Sequence, residues 1–154
     1  MATIETNPTL GAQITADAKE YVLYSWSVQS AINPIAVAGA EGRHFWDYDG
    51  KRYLDFASQL VNVNIGHQHP KIIQAIKDQA DKFLHMSGTD FYYEPQVRLA
   101  EELAAIAPVE GGARSFFGNS GAEAIEASLK LARYASGRPN IIAFLGGFHG
   151  RTMG

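Results

Sequence analysis

The sequence predicts an α/β protein, and three observations carry that prediction. Residues 115–136 pass from a short apolar strand through a Gly-rich turn directly into an Ala-rich helix. Residues 140–145 follow as a second strand that is apolar on both sides, which is typical of a sheet covered by helices on both faces. Upstream, the pair Asp49-Gly50 separates two short strand patterns and predicts an antiparallel hairpin. The chain therefore combines antiparallel strands with the beginning of a helix-covered sheet.

The composition is that of a globular protein and excludes several classes. Hydrophobic residues make up 46% and charged residues 19%, and the net charge of −3 is spread along the chain without a basic stripe. Nucleic acid and anionic membranes are therefore not expected as partners. Cysteine is absent, which excludes disulfides and thiolate sites. No signal peptide or membrane-spanning stretch is recognised, so a cytoplasmic location is expected.

The N-terminal third is predicted to hold one helix and a small antiparallel meander. The strand patterns are short and rich in apolar and aromatic residues, and turn residues separate them. In order, we expect a loose polar arm over 1–11, a helix over 17–27, and strands over 35–38, 43–47 and 51–56.

Three helices are predicted after this meander. The first begins at Pro70, which suits the first helical position, and runs to about Leu84. The second covers Pro95 to about Ala107 and is amphipathic. The third ends near Ser136, and the glycine that follows is a typical left-handed helix stop.

The stretch from Phe116 to Ile125 is the strongest candidate binding site. Its Gly-rich turn directs unpaired backbone N–H groups to one spot at a helix N-terminus, which carries a partial positive charge and suits a phosphate. Ser120 and Glu123 also form an S-x-x-E capping box, which satisfies the first donors of the helix without any ligand. Both interpretations, anion site and cap, are open from this stretch alone.

A second Gly-rich turn, residues 146–152, follows the second predicted strand. Because ligands of open α/β sheets bind outside the carboxyl ends of the strands, we expect the two turns at one rim. A flat aromatic ligand with a phosphate would then meet Ser120, Gly121 and Ala122, and it could stack on Phe148. The alternative is that Phe148 belongs to the core and that the glycines only form a tight turn.

Histidine and aspartate residues upstream give no clear metal or acid–base site. His67 and His69 could form a metal pair, but no third ligand follows at a familiar spacing. A hydrogen-bonded turn before a helix is the preferred interpretation. Asp47, Asp49 and Asp55 form no paired-carboxylate arrangement, and we expect them in turns and at strand edges.

Four motifs in the right order make the chain resemble the class III aminotransferases, pyridoxal 5′-phosphate (PLP) enzymes of fold type I. The resemblance runs from Tyr24 to Gly154 and is closest to the ω-amino acid and amine:pyruvate type. The motifs are D-x-D-G-x-x-x-x-D from Asp47 to Asp55, G-H-x-x-P from Gly66 to Pro70, G-N-S-G-A-E-A from Gly118 to Ala124, and F-H-G-R-T from Phe148 to Thr152.

The resemblance implies a role for each matching residue near the cofactor. Ser120, Gly121 and Ala122 would hold the PLP phosphate through backbone N–H groups and the serine hydroxyl. Phe148 would stack on the pyridine ring, and His149 would lie beside it.

The resemblance also implies a substrate pocket and a subunit partner. Trp26 and Val61 fall where members of the family line the pocket. Phe91 and Tyr92 fall in the loop that reaches toward the partner subunit's active site in related dimers. We therefore expect a homodimer that binds a small-molecule amino donor and a keto acid.

The resemblance divides the chain into three parts. Residues 1–14 would be an N-terminal arm, residues 15–65 the N-terminal part of the small domain, and residues 66–154 the beginning of the large PLP-binding domain with its central sheet. The Schiff-base lysine and the pyridinium-pairing aspartate of the family lie downstream of Thr152. No catalytic residue is therefore expected in this chain, which would be an N-terminal fragment that is inactive alone.

The function expected of the intact protein is transamination from an amine or ω-amino acid to a keto acid, with pyruvate as acceptor. Two alternatives stay open. One is a PLP-dependent aminomutase, racemase or decarboxylase of the same fold, and the other is a truncated, non-catalytic module.

Overall fold

The structure is a computed structural model, and it describes residues 4–152. The chain forms two compact units, residues 1–85 and 86–154. The first unit contains α1 (Pro8–Tyr21), β1 (Val37–Glu41), β2 (His44–Asp47), β3 (Arg52–Leu54), the short turn α2 (Ser58–Val61) and α3 (Pro70–Ala80). The second unit contains α4 (Glu94–Ile106) and α5 (Gly121–Ser136).

Helix α1 begins earlier than predicted. Asn7 caps it by accepting a hydrogen bond from the Leu10 N–H at 3.1 Å, and Pro8 occupies the first turn. This cap signal outweighs the polar composition of the segment. The loose arm predicted over 1–11 is therefore wrong from Pro8 onward, and the helix predicted over 17–27 extends only to Tyr21.

Packing against the hairpin holds the first turn of α1 in place. The Asn7 N–H donates to the Tyr48 carbonyl at 2.9 Å. A Cβ at Gly11 would lie 2.7 Å from the Tyr48 Cβ, so only glycine permits this approach. These contacts give the segment a tertiary reason to be helical that the sequence pattern does not reveal.

The predicted meander is confirmed as a three-stranded antiparallel sheet in the order β1-β2-β3. Strand β1 lies two residues later than predicted and reaches Glu41, so the turn before β2 is shorter than expected. Trp46 lies at the centre, only 8% exposed, and its ring covers Gly39, where a Cβ would come within 2.7 Å of the indole. Phe45 and Tyr53 stack at 5.0 Å on neighbouring strands.

Asp47 fixes the hairpin between β2 and β3. Its Oδ1 accepts the N–H groups of Asp49 at 3.1 Å and Lys51 at 2.8 Å. Its Oδ2 accepts the Tyr53 hydroxyl at 2.8 Å. The Tyr53 hydroxyl is the main reason why the pKa of Asp47 is lowered; burial opposes the shift, and the two N–H groups add to it. The predicted turn role of Asp47 is confirmed.

The two strands predicted over 115–117 and 140–145 are wrong for the described part of the chain, which forms no strand there. A strand needs a neighbour for its backbone N–H and C=O groups. The second unit has no strand to pair with them within residues 86–152. The side chains of Ile142 and Phe144 are 99% and 88% exposed, so this apolar segment has no covering layer.

The helices of the prediction are otherwise confirmed. Helix α3 starts at Pro70 as expected but ends at Ala80, and α4 agrees within one residue at each end. Helix α5 ends at Ser136, and the Gly137 that caps it adopts the predicted left-handed conformation with φ +68°. Within residues 4–152, none of the helices has the length and apolarity needed to span a membrane.

Candidate functional site

The N-terminus of α5 carries both features that the sequence left open. Ser120 is the N-cap, and its Oγ accepts the Glu123 N–H at 3.2 Å, so the predicted cap is confirmed. The Glu123 carboxylate reaches back to the Asn119 N–H at 2.5 Å. The N–H groups of Gly121 and Ala122 have no partner within the helix because they belong to its first turn. The cap therefore leaves two donors directed out of the helix end.

The second Gly-rich turn packs against this helix end. A Cβ at Gly150 would lie 2.6 Å from the Ala122 Cβ and 2.9 Å from its Cα, and Gly150 has φ +108°. The Thr152 hydroxyl donates a hydrogen bond to the Glu126 carboxylate one turn further along the helix. The structure thus brings the two Gly-rich turns together, although the strands expected before them are not formed.

Phe148 and His149 belong to the turn that contacts α5. The Gly147 N–H donates to the Phe144 carbonyl at 3.0 Å, which closes a tight turn. Phe148 is 64% exposed, so in the described unit it is not a core residue. The His149 Nε2 lies 3.0 Å from the point that a Cβ on Gly147 would occupy, so its ring folds back over the turn.

The four predicted pocket residues lie in both units. Trp26 and Val61 belong to the first unit, and both have positive φ angles, +67° and +61°. Phe91 and Tyr92 belong to the second unit, just before α4, and both are exposed. The Phe91 N–H donates to the Ser87 carbonyl at 3.0 Å, which shapes this loop.

Turn α2 is left-handed throughout. Its residues Ser58, Gln59, Leu60 and Val61 have φ angles of 45°, 50°, 57° and 61°. Left-handed helical backbone costs an L-residue about 1–2 kcal/mol, and a β-branched residue such as Val61 is rare there. Strain of this kind persists only where surrounding contacts impose it, and it clusters at functional sites.

Asp55 and His67 form the main polar contact next to α2. The His67 Nε2 lies 2.8 Å from the Asp55 Oδ2, and the two side chains are only 15% and 5% exposed. A carboxylate only accepts, so this contact places a proton on Nε2. The His67 backbone is held as well, since its N–H and C=O pair with Gly42 at 2.7 and 3.0 Å.

Burial alone would raise the pKa of Asp55. The hydrogen bonds from His67, Gln59 and the Ala57 N–H outweigh that effect and lower the pKa, so Asp55 is held as a carboxylate. Asp55, Ser58 and His67 line one cavity of about 710 Å³. Arg43 and Arg52 line the same cavity. Burial is the main reason why the pKa of His44 is lowered, and the charges of Arg52 and Arg43 add to the shift.

The hydrogen-bonded turn predicted around His67 and His69 is confirmed for His67 by its contact with Asp55. No group of three His, Cys, Asp or Glu residues among those described could hold a metal ion. The Asp55–His67 contact itself was not predicted. Asp55 is the last residue of the D-x-D-G-x-x-x-x-D motif, and His67 is the histidine of the G-H-x-x-P motif. Asking which carboxylate could pair with this histidine would have suggested the contact.

The capped helix end of this α/β chain, with a second Gly-rich turn packed against it, is an arrangement that suits an anion. The comparison with known families makes this specific. The family model for class III aminotransferases matches residues 26–154. The chain belongs to the class III aminotransferases and has part of the PLP-dependent fold type I.

Individual relatives agree with the family. The chain is 43% identical over 136 residues to an acetylornithine aminotransferase of Archaeoglobus fulgidus, covering 88% of this chain and 34% of that protein. It is 36% identical to an isoleucine 2-epimerase of Lentilactobacillus buchneri, covering 88% of this chain and 30% of that protein. In both cases the matched region is most of this chain but only about a third of the relative.

Solved structures show the same fold. The taurine:2-oxoglutarate aminotransferase of Bifidobacterium kashiwanohense, in complex with PLP and glutamate, superimposes with a TM-score of 0.78 at 40% identity. That match covers 90% of this chain and 30% of the other chain. The chain therefore spans about a third of the length of the proteins that it matches.

Proposed function

We propose that the intact protein containing this chain is a PLP-dependent aminotransferase that moves an amino group from an amine or ω-amino acid to a keto acid. The observation that carries the proposal is the contact between Gly150 and Ala122. It brings the turn that bears Phe148 against the end of α5, whose first-turn N–H groups are the proposed donors to a phosphate. A flat ring with a phosphate has both of its binding elements there.

The residues at this end of α5 fit a phosphate. Ser120 offers a hydroxyl, and Gly121 and Ala122 offer first-turn N–H groups at the positive end of the helix. A Cβ at Gly121 would meet no atom within 4 Å, so there is open space beside the backbone. We assign these three residues to the phosphate of PLP, Phe148 to the face of its ring, and His149 to the rim beside it.

When bound, PLP supplies the electron sink that amino-group transfer requires. The residues of this chain would bind and orient it. Backbone donors fix the phosphate without a charged side chain, so the ring position depends on the backbone of α5 and of the second turn. The lysine and aspartate expected downstream of Thr152 would complete the site, which is why the chain alone is proposed to be inactive.

The remaining assignments concern the substrate and the assembly. We propose Trp26 and Val61 as residues of the donor pocket, and Phe91 and Tyr92 as residues that approach the active site of a partner subunit in a homodimer. We keep the domain limits at residues 14 and 65 and a cytoplasmic location as part of the same proposal.

A turnover assay on the intact protein tests the proposal. With an ω-amino acid as donor and pyruvate as acceptor, we expect alanine and reversible bleaching of the cofactor colour. The assay is repeated with 2-oxoglutarate as acceptor and glutamate as the expected product, because the Bifidobacterium relative is a taurine:2-oxoglutarate aminotransferase. Persistent colour and no amino acid product across several donors and both acceptors would contradict the proposal.

The isoleucine 2-epimerase among the relatives supports one competing activity, racemisation on the same fold. An epimerase inverts the α-carbon of an amino acid without a keto acid. Incubating the intact protein with one enantiomer and no acceptor separates the two activities. Inversion under these conditions would favour the epimerase, whereas strict dependence on a keto acid favours the aminotransferase.

A further inference from the structure

Positive φ angles in the described residues are concentrated at the proposed donor pocket. Six residues other than glycine have them. They are Trp26, the four residues of α2, and Gln68. Trp26 and Val61, the two pocket residues of the first unit, are both among the six. The backbone is therefore strained where the proposed function needs side chains to be placed accurately.

The hydrogen bonds within α2 do not explain why the turn is left-handed. The turn closes through hydrogen bonds from the Val61 N–H to the Ala57 carbonyl at 3.1 Å and from the Asn62 N–H to the Ser58 carbonyl at 2.9 Å. A right-handed turn would make the same pattern of bonds at lower energy for L-residues. The left-handed conformation must therefore be imposed by contacts from outside the turn.

Asp55 supplies two of those contacts, and the Asn62 side chain adds one by donating to the Gln59 carbonyl at 3.0 Å. Its Oδ1 accepts the Ala57 N–H at 3.1 Å, immediately before the turn. Its Oδ2 accepts the side-chain amide of Gln59 at 3.2 Å, inside the turn. One carboxylate thus holds the chain on both sides of Ser58, where the left-handed run begins.

The carboxylate is itself held in a fixed position. His67 donates to the same Oδ2 at 2.8 Å, and the Asp55 side chain is almost fully buried. Gly66 precedes His67 with φ +88°, and a Cβ there would lie 3.0 Å from the Gly42 carbonyl oxygen. The histidine is therefore attached to the sheet side of the unit, and through Asp55 it attaches α2 as well.

We propose that Asp55 is a positioning residue that holds α2 left-handed and thereby sets the place of Val61 against the amino donor. The inference rests on the proposed function, because that function puts Val61 in the donor pocket. Asp55 acts through the turn and does not touch the substrate. Glycine in the turn should replace its action, since glycine adopts positive φ without strain.

The test compares variants of the intact enzyme by kcat/KM for an ω-amino acid donor. Asp55→Asn keeps the size of the side chain but removes the charge and puts an NH₂ group opposite either the Ala57 N–H or the Gln59 and His67 donors. We expect kcat/KM to fall about 10- to 100-fold, as for a displaced pocket residue. Adding Leu60→Gly to Asp55→Asn should restore most of the loss.

Gln68→Gly is the matched control. Gln68 also has a positive φ, +55°, but it lies outside the turn. Added to Asp55→Asn, it should restore nothing. A general loss of stability would be relieved by either glycine, so equal effects of the two glycines would overturn the proposal, as would an unchanged kcat/KM in Asp55→Asn.

If Asp55→Asn does not fold, Gln59→Met carries the test. It removes only the link from the turn to Asp55 and leaves the contact with His67. A loss of kcat/KM that Leu60→Gly restores supports the proposal, and an unchanged kcat/KM overturns it. Absence of turnover in the unmodified enzyme would instead contradict the proposed function, so the two failures are distinguishable.

Discussion

Gly150 lies so close to Ala122 that a Cβ at Gly150 would come within 2.6 Å of the Ala122 Cβ. This contact joins the turn that bears Phe148 to the first turn of α5, and it leaves no room for a larger residue. Two Gly-rich turns that are about 30 residues apart in sequence thereby form one surface. The proposed cofactor site depends on this approach.

Gly150→Ala should therefore weaken PLP binding in the intact protein. The added methyl group must push the second turn away from α5, and overpacking of this kind costs about 1–3 kcal/mol, or about a 5- to 150-fold loss of affinity. Gly146→Ala is the matched control, because Gly146 also has a positive φ, +76°, but a Cβ there would meet nothing within 4 Å. Equal PLP dissociation constants for the two variants would contradict the prediction.

Phe148→Ala should also weaken PLP retention, but for a different reason. It removes the proposed ring face without moving the backbone, and aromatic stacking contributes about 0.5–1.5 kcal/mol, or about a 2- to 10-fold change in affinity. Phe148→Tyr keeps the ring and should bind nearly as well as the unmodified protein. Cofactor affinity that is unchanged in Phe148→Ala would mean that Phe148 serves the fold instead.

The left-handed backbone of α2 predicts that glycine is more stable than alanine at Leu60, the reverse of the order in an ordinary helix. In a right-handed helix alanine is more stable than glycine by about 1 kcal/mol. At Leu60, with φ +57°, glycine should be the more stable by about 1 kcal/mol, because only alanine carries the left-handed penalty. Denaturant unfolding of Leu60→Gly and Leu60→Ala measures the difference, and both variants lose the same leucine contacts. A higher midpoint for alanine would show that the turn is right-handed in solution.

Asp47 predicts an acid-sensitive hairpin. Its pKa is lowered in the folded state, chiefly by the Tyr53 hydroxyl, so it contributes stability above its unfolded pKa of about 4. That contribution is lost as pH falls through the lower folded pKa. We expect the Asp47 contribution to stability to be constant from pH 7 to 5 and to decline below pH 4, while the lowered pKa of His44 adds a separate decline as pH falls below about 6.5.

Tyr53→Phe is the variant that tests this cause. Without the hydroxyl at 2.8 Å, the folded pKa of Asp47 should move back toward its ordinary value. The acid decline should then be smaller than in the unmodified protein, because the folded and unfolded pKa values of Asp47 lie closer together. Identical acid profiles for the two proteins would exclude Asp47 as the source of the decline.

Local signals were sufficient to predict the elements that stabilise themselves. Asp49-Gly50 gave the hairpin, Pro70 the start of α3, and Ser120 with Gly137 the two ends of α5. Helix α1 was misplaced because its position depends on Gly11 packing against Tyr48, a contact between residues that are far apart in sequence.

The two strands over 115–117 and 140–145 were predicted from apolar patterns that describe a covered sheet. Such patterns indicate which side chains would be buried in a sheet, but not whether the covering helices and neighbouring strands are present. In the described unit no other element packs on Ile142, which is 99% exposed. This is the expected behaviour of a segment whose pairing partners are not among residues 86–152.

The candidate site was predictable in part. The cap by Ser120 follows from a four-residue motif. The approach of the second turn was expected from the rule on strand ends and is observed, although the two strands are not formed. The left-handed conformation of α2 was not predictable, because its sequence contains no glycine, the residue that usually indicates a positive φ. The contacts of the Asp55 carboxylate with the Ala57 N–H and the Gln59 amide account for it, and His67, 12 residues further along the chain, holds that carboxylate. The cofactor and pocket roles all stay predictions: those of Ser120, Gly121, Ala122, Phe148, His149, Trp26, Val61, Phe91 and Tyr92.

A crystal structure of the intact protein with PLP tests the central claim most directly. We predict phosphate oxygens within about 2.7–3.2 Å of the Gly121 and Ala122 nitrogens and of the Ser120 Oγ, with the pyridine ring against Phe148. A phosphate bound elsewhere, with Ser120 and Glu123 serving only as the cap of α5, would contradict the account.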